Sequence, residues 1–419
     1  MIKTHTFSNG LRLVMEKIPS VRSVSLGIWI GTGSRYEIEK NNGISHFIEH
    51  MLFKGTSSRT AREIAEEFDS IGGHLNAFTS KEYTCYYAKV LDQHLPKAID
   101  VLADMFFNST FDEGELEKEK NVVLEELKMY EDTPDDVVHD LIAKATYYDH
   151  SLGYTILGQE DVINSLRPDD LRQYMNKHYT PHNTVIAVAG HFEEQELVER
   201  IESYFSDFNA QEESNTTGLP EVTHHHLFRK KDTEQAHFCL GFKGVAIGEQ
   251  DIYPLILLNN ILGGSMSSRL FQEIREERGL AYSIFSYHSS FKDTGSVHLY
   301  SGTAPQQLEE VYNVSVDILH SLATKGITEK ELHNGKEQLK GNLMLSLEST
   351  NSRMSRIGKN ELMLRKHYSL DEIIAKVEAL SKERVDLLAE RIFRQKHSFA
   401  LISPLEQIPS VIQINRLVK

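Results

Sequence analysis

Two histidines four residues apart, with a glutamate directly before the second, stand in the segment GISHFIEHMLFKG at residues 43–55. On a helix, residues four apart lie on one face about one turn apart, so His46 and His50 can present ring nitrogens to a single ion. Glu49 projects beside them. The alternative is that these side chains are only the solvated face of an ordinary helix, and the pattern by itself is no more than suggestive.

A helical wheel separates the two faces of this segment. The apolar face carries Ile44, Phe47, Ile48, Met51 and Leu52. His46, Glu49 and His50 gather on the opposite face. The helix can therefore pack its apolar face against a core and still offer all three polar groups to a cavity.

A catalytic zinc site needs three protein ligands and an open position for water, so a third ligand must come from another segment. The segment EKEKNVVLEELKMYED at 117–132 is the richest in carboxylates. On its wheel, Glu119 and Glu126 lie near the centre of the inward face, whereas Glu125 points away. That inward face is marked by Leu116, Val122, Val123, Leu127 and Tyr130. Burying two unpaired carboxylates is costly, which favours a cation or strong donors opposite them; a wide helix with charged edges stays open as the alternative.

The elements that must position these residues are a mixture of strands and helices. Asn9-Gly10 lies between two runs of alternating character, which is a strong hairpin signal. Apolar periodicity predicts a buried strand in VSLGIWIG, helices over 43–55, 60–71, 94–108, 113–131 and 134–148, and a strand pair across 74–91. This order is typical of an α+β fold.

A polar segment, FNAQEESNTTGLPEVT at 208–223, divides the chain nearly in half and reads as a linker. The halves resemble each other: VINSLRPDDLRQYMNKHYTPHNTVIAVAG aligns with KVEALSKERVDLLAERIFRQKHSFALISP at a constant offset of 214. YPLILLNNILGG takes the place of GISHFIEHMLFKG. We therefore predict a domain at 1–210, a linker at 211–223 and a related domain at 224–419 that lacks the histidine helix.

Composition excludes several classes of function. The formal net charge of -16 argues against binding to nucleic acid or anionic membranes, because an acidic surface repels both. No apolar run is long enough to span a bilayer, and the first residues lack the apolar core of a signal peptide. Cys85 and Cys239 lie in apolar, strand-like runs, which favours buried free thiols. These features predict a soluble, unexported, cytoplasmic protein.

The residues assembled above resemble the pitrilysin-like M16 metallopeptidases, the family of insulysin and mitochondrial processing peptidase. HFIEH matches the inverted zinc motif of that family, and Glu126 follows His50 at the family spacing. Further landmarks occur in family order: GGHLNAFTSKEYTCYYAKV, EKNVVLEELKMYEDTPDD and SSRLFQEIREERGLAYSIFS. The length is similar to that of the short, bacterial processing-protease-like members.

The resemblance implies a zinc endopeptidase with two homologous α+β domains, each a mainly antiparallel sheet packed with helices, that close like a clamshell around a peptide or unfolded polypeptide. It implies one zinc per chain held by His46, His50 and Glu126, with Glu49 as general base. Glu119 matches a second family glutamate that supports the site, and we expect it to orient a ligand histidine or to polarise the site. A homodimer is also expected.

The resemblance further implies substrate-binding residues in both domains. Asn76, Ala77 and Phe78 would offer the edge of a strand to an extended peptide. Arg275 and Tyr282 would donate to the substrate carbonyl or to the oxyanion; the spacing to the tyrosine favours Arg275 over its neighbour Arg278. Without the resemblance, these would be an ordinary strand, a surface charge and a core aromatic. A non-catalytic scaffold subunit on the same fold is the alternative function, and a zinc hydrolase of another substrate is a third.

Overall fold

The computed structural model describes residues 2–209 and 217–413, which form two compact units. Unit 1 comprises Met1–Lys128, Tyr154–Thr217 and Met344–Ser369, and unit 2 comprises Met129–Gly153, Gly218–Leu343 and Leu370–Lys419. Each unit contains one sheet packed with helices, so the predicted α+β class is confirmed.

Unit 1 is built on a six-stranded sheet. Its strands are β1 (Ile2–Thr6), β2 (Arg12–Lys17), β3 (Ser23–Ile30), β4 (His74–Thr79), β5 (Thr84–Leu91) and β6 (Thr184–Gly190). Its helices are α1 (Ile44–Leu52), α2 (Ala61–Asp69), α3 (Leu95–Asn108), α4 (Glu113–Glu131), α6 (Glu160–Ser165), α7 (Pro168–His178), α8 (Glu194–Phe205) and α12 (Thr350–Leu364). The part of α4 that belongs to unit 1 ends at Lys128. The strand order is β1-β2-β6-β3-β5-β4, and only β2 and β6 run parallel. The predicted Asn9-Gly10 hairpin joins β1 to β2, with Gly10 at φ +89°.

Alternation along β3 explains why this sheet is covered on both faces. Leu26 and Ile28 point into the main core, which also contains residues of α1, α3 and α8. Trp29 points to the other face and packs against Met354 and Ile357 of α12. A strand buried on both sides needs a helix on each, and here α12 supplies the second.

Helix α12 is held to the sheet by polar contacts as well as by packing. Arg12 donates to Glu361 at 2.9 Å in a buried ion pair, and Ser25 and Thr350 share a hydrogen bond of 3.0 Å. Gly358 gives the indole of Trp29 its room, because a Cβ there would lie 2.4 Å from Trp29 Nε1. This helix is therefore an integral layer of unit 1 although it lies far along the sequence.

Unit 2 is built on a five-stranded sheet with the order β7-β11-β8-β10-β9. Its strands are β7 (His226–Lys230), β8 (Ala236–Lys243), β9 (Ala281–Ser290), β10 (Gly295–Thr303) and β11 (Ser398–Ser403). Its helices are α5 (Pro134–Thr146), α9 (Ile252–Leu262), α10 (Leu308–Lys325), α11 (Glu329–Ser346), α13 (Leu370–Glu378), α14 (Lys382–Phe393) and α15 (Ser410–Gln413). The part of α11 that belongs to unit 2 ends at Leu343. Helix α5 covers β8 and β11 through Val138, Ile142 and Ala145.

The two sheets share one topology. The series β2-β6-β3-β5-β4 corresponds to β7-β11-β8-β10-β9, and in each the first two strands run parallel. Helix α7 begins at Pro168 and α14 at Lys382, while β6 begins at Thr184 and β11 at Ser398, so both pairs keep the offset of the sequence repeat. The predicted repeat and its offset are thus confirmed. Helix α9 takes the place of α1, and its sequence contains no histidine.

The compact units do not follow the predicted split into residues 1–210 and 224–419, because each takes a segment from the opposite half of the chain. As boundaries of the two homologous halves, those numbers stay a prediction. The predicted linker at 211–223 lies partly outside the described residues, since 210–216 are not described.

Cys85 and Cys239 are buried free thiols, as predicted. None of the described helices combines the length and the apolar character needed to cross a membrane.

Candidate metal centre

Helix α1 begins at a glycine whose conformation and surroundings exclude a side chain. Gly43 has φ +101°, and a Cβ on it would lie 2.8 Å from Gly158 Cα. The free N–H groups of the first turn donate instead to Glu37, which accepts from Gly43 N at 2.7 Å and from Ser45 N at 2.9 Å. Burial raises the pKa of the Glu37 carboxyl, and these hydrogen bonds oppose the rise. A carboxylate at this end also complements the helix dipole, so Glu37 fixes the start of α1.

Packing fixes the rest of α1. Ile44, Phe47, Ile48, Met51 and Leu52 are all buried in the main core, as the wheel predicted. His46 is itself buried at 7% exposure, whereas Glu49 and His50 are half-buried. The polar face of α1 is therefore partly buried and is not a fully solvated surface.

Helix α4 presents Glu119 and Glu126 toward α1. Leu116, Glu119 and Val123 are buried, and Glu126 is half-buried. The prediction that Val122 lies on the inward face is wrong, because Val122 is 50% exposed. The buried stripe of α4 is narrower than the wheel assumed, since it follows the spacing 116, 119, 120 and 123 on one side of the helix.

His46, His50 and Glu126 form a group that can hold a metal ion, with one ligand atom from each residue within 4.8 Å of the others. Glu126 Oε2 lies 3.5 Å from His50 Nε2 and 3.8 Å from His46 Nε2. Tetrahedral zinc with bonds near 2.1 Å places neighbouring ligand atoms about 3.4 Å apart. Two imidazoles and one carboxylate are also a typical catalytic zinc set. The residues therefore fit zinc in both chemistry and spacing.

The two histidines differ in their surroundings. Burial, and then the neighbouring His50, lower the pKa of His46 to about 4. Burial also lowers the pKa of His50, but the carboxylates of Glu119 and Glu126 outweigh it and raise that pKa to about 9. His50 Nδ1 lies 2.7 Å from Glu119 Oε1, so its Nε2 is left to face Glu126. Lys54 in turn contacts Glu119 Oε2 at 2.5 Å.

The Glu49 carboxylate lies beside this group and is held by a threonine. Thr79, the last residue of β4, donates from Oγ1 to Glu49 Oε2 at 2.5 Å. Burial raises the pKa of the Glu49 carboxyl, and the Thr79 hydrogen bond opposes the rise. A half-buried carboxylate with one oxygen fixed and a raised pKa is suited to accept a proton from water.

Strand β4 carries the predicted substrate-binding residues and is an edge of its sheet. Among the described strands it pairs only with β5, with Asn76 opposite Tyr87 and Ala77 opposite Tyr86. Ala77 N donates to the side chain of its neighbour, Asn76 Oδ1, at 2.8 Å. Phe78 packs on the opposite face from Ala77. The structure thus places Asn76, Ala77 and Phe78 on an open strand edge next to Thr79.

Arg275 and Tyr282 meet within unit 2. Arg275 lies in a π-helical turn, Phe271–Glu277, and its guanidinium sits 4.4 Å from the ring centre of Tyr282 and 4.7 Å from that of Phe271. Arg275 Nη1 also donates to the main-chain oxygen of Tyr282 at 2.9 Å. The neighbouring Arg278 instead pairs with Glu273 at 2.6 Å. The choice of Arg275 over Arg278 as a substrate-binding residue stays a prediction. Tyr282 is 77% exposed and is therefore not a core aromatic.

Comparison with known proteins adds the family to this geometry. A model described as insulinase (peptidase family M16) matches residues 12–160, and one described as peptidase M16 inactive domain matches residues 165–339. The chain is 59% identical over 410 residues to uncharacterized zinc protease YmxG of Bacillus subtilis, covering 98% of this chain and 100% of that protein. The chain belongs to peptidase family M16. The chain is also 40% identical to uncharacterized zinc protease SCO5738 of Streptomyces coelicolor, covering 97% of this chain and 90% of that protein.

Solved structures agree with the M16 fold. A protease from Helicobacter pylori superposes with a TM-score of 0.88 at 24% identity, covering 96% of this chain and 99% of that one. A peptidase M16 inactive domain from Pseudomonas fluorescens gives a TM-score of 0.90 at 19% identity, covering 98% and 99%. At these identities the likeness concerns the fold alone. The family and the M16 fold predicted from the motifs are therefore confirmed.

Four residues that position the candidate metal group were not found from the sequence: Glu37, Lys54, Thr79 and Arg35. Lys54 carried a weak signal, because it follows His50 by four residues, just beyond the last residue of α1, Leu52. The others act between elements. Arg35 forms a buried ion pair with Glu82 at 2.6 Å, which ties the turn after β4 to the segment that carries Glu37. Such contacts leave no local periodicity to read.

Proposed function

We propose that this M16 chain is a zinc-dependent endopeptidase that hydrolyses peptides, or unfolded segments of precursors, bound in extended form. The group of His46, His50 and Glu126, with Glu49 beside it, is the observation that carries the proposal. The family supports a peptidase role, and the relatives are named zinc proteases. The substrate form and the residue roles are our own inference.

The division of labour follows from the contacts of each side chain. His46, His50 and Glu126 would hold one zinc, with Glu119 fixing the ring of His50. The chemistry that zinc supplies when bound in such a site is polarisation of a peptide carbonyl and a more acidic water. Glu49 accepts the proton of the attacking water on Oε1, since Oε2 is held by Thr79, and returns it to the leaving amine.

Main-chain pairing gives the proposed substrate form. An extended peptide added to the open edge of β4 bonds to main-chain groups near Asn76 and Ala77, which any sequence can offer. Such binding requires the peptide to be unfolded locally. Arg275 and Tyr282 are assigned to the same reaction as donors to the substrate carbonyl or oxyanion.

Hydrolysis of a quenched peptide library tests the function. The wild-type protein should cleave internal bonds, and Glu49→Gln should abolish cleavage while zinc content stays at about one per chain. Glu125→Gln, an exposed glutamate on α4, is the matched control and should retain activity. Retained turnover in Glu49→Gln would remove Glu49 as the base.

Arg275→Ala, with Arg278→Ala as its control, tests the assignment of Arg275 as a donor in the same assay.

Metal analysis separates this function from the non-catalytic scaffold. An enzyme of this design should bind about one zinc per chain and lose it in His50→Ala. A scaffold subunit has no need of the ion. A wild-type protein that binds no metal and cleaves nothing would favour the scaffold.

A further inference from the structure

We infer that Thr79 is a positioning residue that orients the carboxylate of Glu49 for proton transfer. The inference rests on the proposed function and adds a residue to it. Thr79 is the C-terminal residue of β4, and its hydroxyl donates to Glu49 Oε2 at 2.5 Å. Within residues 2–209 and 217–413, this is the hydrogen bond that the Glu49 carboxylate accepts.

Side chains along β4 point alternately to the two faces of the sheet, and this explains why Thr79 reaches α1. Leu75 and Ala77 pack into the main core with the apolar face of α1, and Phe78 packs on the other face. Thr79 follows Ala77 by two residues and so shares its face. Thr79 is half-buried, and as a β-branched residue it is restricted at χ1, which holds its hydroxyl toward Glu49.

The consequence concerns the orientation of the base. A glutamate side chain has three rotatable bonds, and burial of its backbone does not fix its carboxylate. The hydrogen bond from Thr79 fixes Oε2, which leaves Oε1 to face the water that must be deprotonated. Because Thr79 belongs to the same strand as Asn76 and Ala77, the strand that pairs with the peptide also sets the position of the base.

Thr79→Val removes the hydroxyl and keeps the shape of the side chain, whereas Thr79→Ser keeps the hydroxyl. We expect Thr79→Val to lower kcat by about 10–100-fold with little change in KM or zinc content, as for other residues that orient a site. Thr79→Ser should recover most of the lost kcat. Thr184→Val is the matched control: it lies in β6 of the same sheet, and its buried hydroxyl has no hydrogen-bond partner in the described part of the chain.

Two kinetic outcomes would overturn the inference: a Thr79→Val enzyme whose kcat stays within about twofold of wild type, or equal losses in Thr79→Val and Thr79→Ser. A crystal structure of Thr79→Val gives a readout independent of activity. The Glu49 carboxylate should leave its wild-type position; an unmoved carboxylate contradicts the inference even if the protein cleaves nothing. Failure of the proposed function is distinct, since it shows as a wild-type protein without activity or an active Glu49→Gln.

Discussion

The imidazole of His50 has a carboxylate opposite each of its nitrogens. Nδ1 faces Glu119 and Nε2 faces Glu126, while Lys54 contacts the far oxygen of Glu119. His46 has no comparable support, because its buried Nδ1 finds no hydrogen-bond partner among the described residues. Packing alone sets the His46 ring. The series Lys54–Glu119–His50 therefore carries most of the polar control over the geometry of the group.

Replacing Glu119 by glutamine should weaken zinc binding. The amide keeps the size of the side chain but loses the charge that both His50 and Lys54 contact, so we expect zinc affinity to fall by about 10–100-fold. Competition with a chromophoric chelator measures the zinc affinity. Glu125→Gln on the exposed side of α4 should bind zinc as wild type does; equal affinities in both variants would contradict the role of Glu119.

At the level of single residues, the sequence predicted what local spacing encodes. His46, Glu49 and His50 stand on one turn of a helix, and Glu119 and Glu126 on two turns of another. Thr79 and Glu37 could not be found this way. Each makes its contact through one hydroxyl or carboxylate on a different element, and many threonines and glutamates in the chain would fit such a role equally well.

Among the elements, α1 depends on a carboxylate outside itself. Glu37 accepts hydrogen bonds from the first turn of α1, and the backbone of Gly43 packs on Gly158. His46 and His50 both lie within two turns of this end. Loosening the start of α1 would therefore shift His46 first.

Replacing Glu37 by glutamine should destabilise unit 1 and weaken zinc binding. The amide group turns a donor toward N–H groups that need an acceptor, and leaving a buried group unsatisfied costs about 1–3 kcal/mol of unfolding free energy. Urea denaturation and zinc competition measure the two effects. Glu63→Gln is the control, because Glu63 caps the start of α2 in an exposed position where no metal ligand follows. It should cost less stability and leave zinc affinity unchanged; a Glu37→Gln variant no weaker than this control would contradict the argument.

Element boundaries were predicted closely where apolar periodicity was strong. The predicted helices at 94–108 and 134–148 are α3 at Leu95–Asn108 and α5 at Pro134–Thr146. Periodicity does not say which sheet a helix covers. Helices α5 and α12 each have an apolar face, and nothing in their sequence indicates that each completes the unit built mainly from the other half of the chain.

For the whole molecule, a bound zinc would connect two distant stretches of one unit. His50 and Glu126 are far apart in the sequence and lie on different helices, α1 and α4. Fixing them to one ion should slow the local opening of both helices, because an opened helix loses its ligands.

Hydrogen exchange should report this coupling as a local effect. Adding zinc to the metal-free protein should protect peptides from α1 and α4, and peptides from α9, the counterpart of α1 without histidines, should change little. His50→Ala should show no zinc-dependent protection. Equal protection of α1 and α9 would contradict a single site in unit 1.

Helices α5 and α12 each belong to the unit built mainly from the other half of the chain, and this constrains how the chain folds during synthesis. All six strands of unit 1 have been synthesised once the ribosome passes Gly190. Trp29 and the apolar residues around it are not covered until α12, which begins at Thr350, has also been synthesised. At about 5–20 residues per second, this gap lasts roughly 10–30 seconds. A nascent chain with an uncovered apolar sheet face is a natural client for chaperones, and a gene fragment that stops at the linker would encode that vulnerable state permanently.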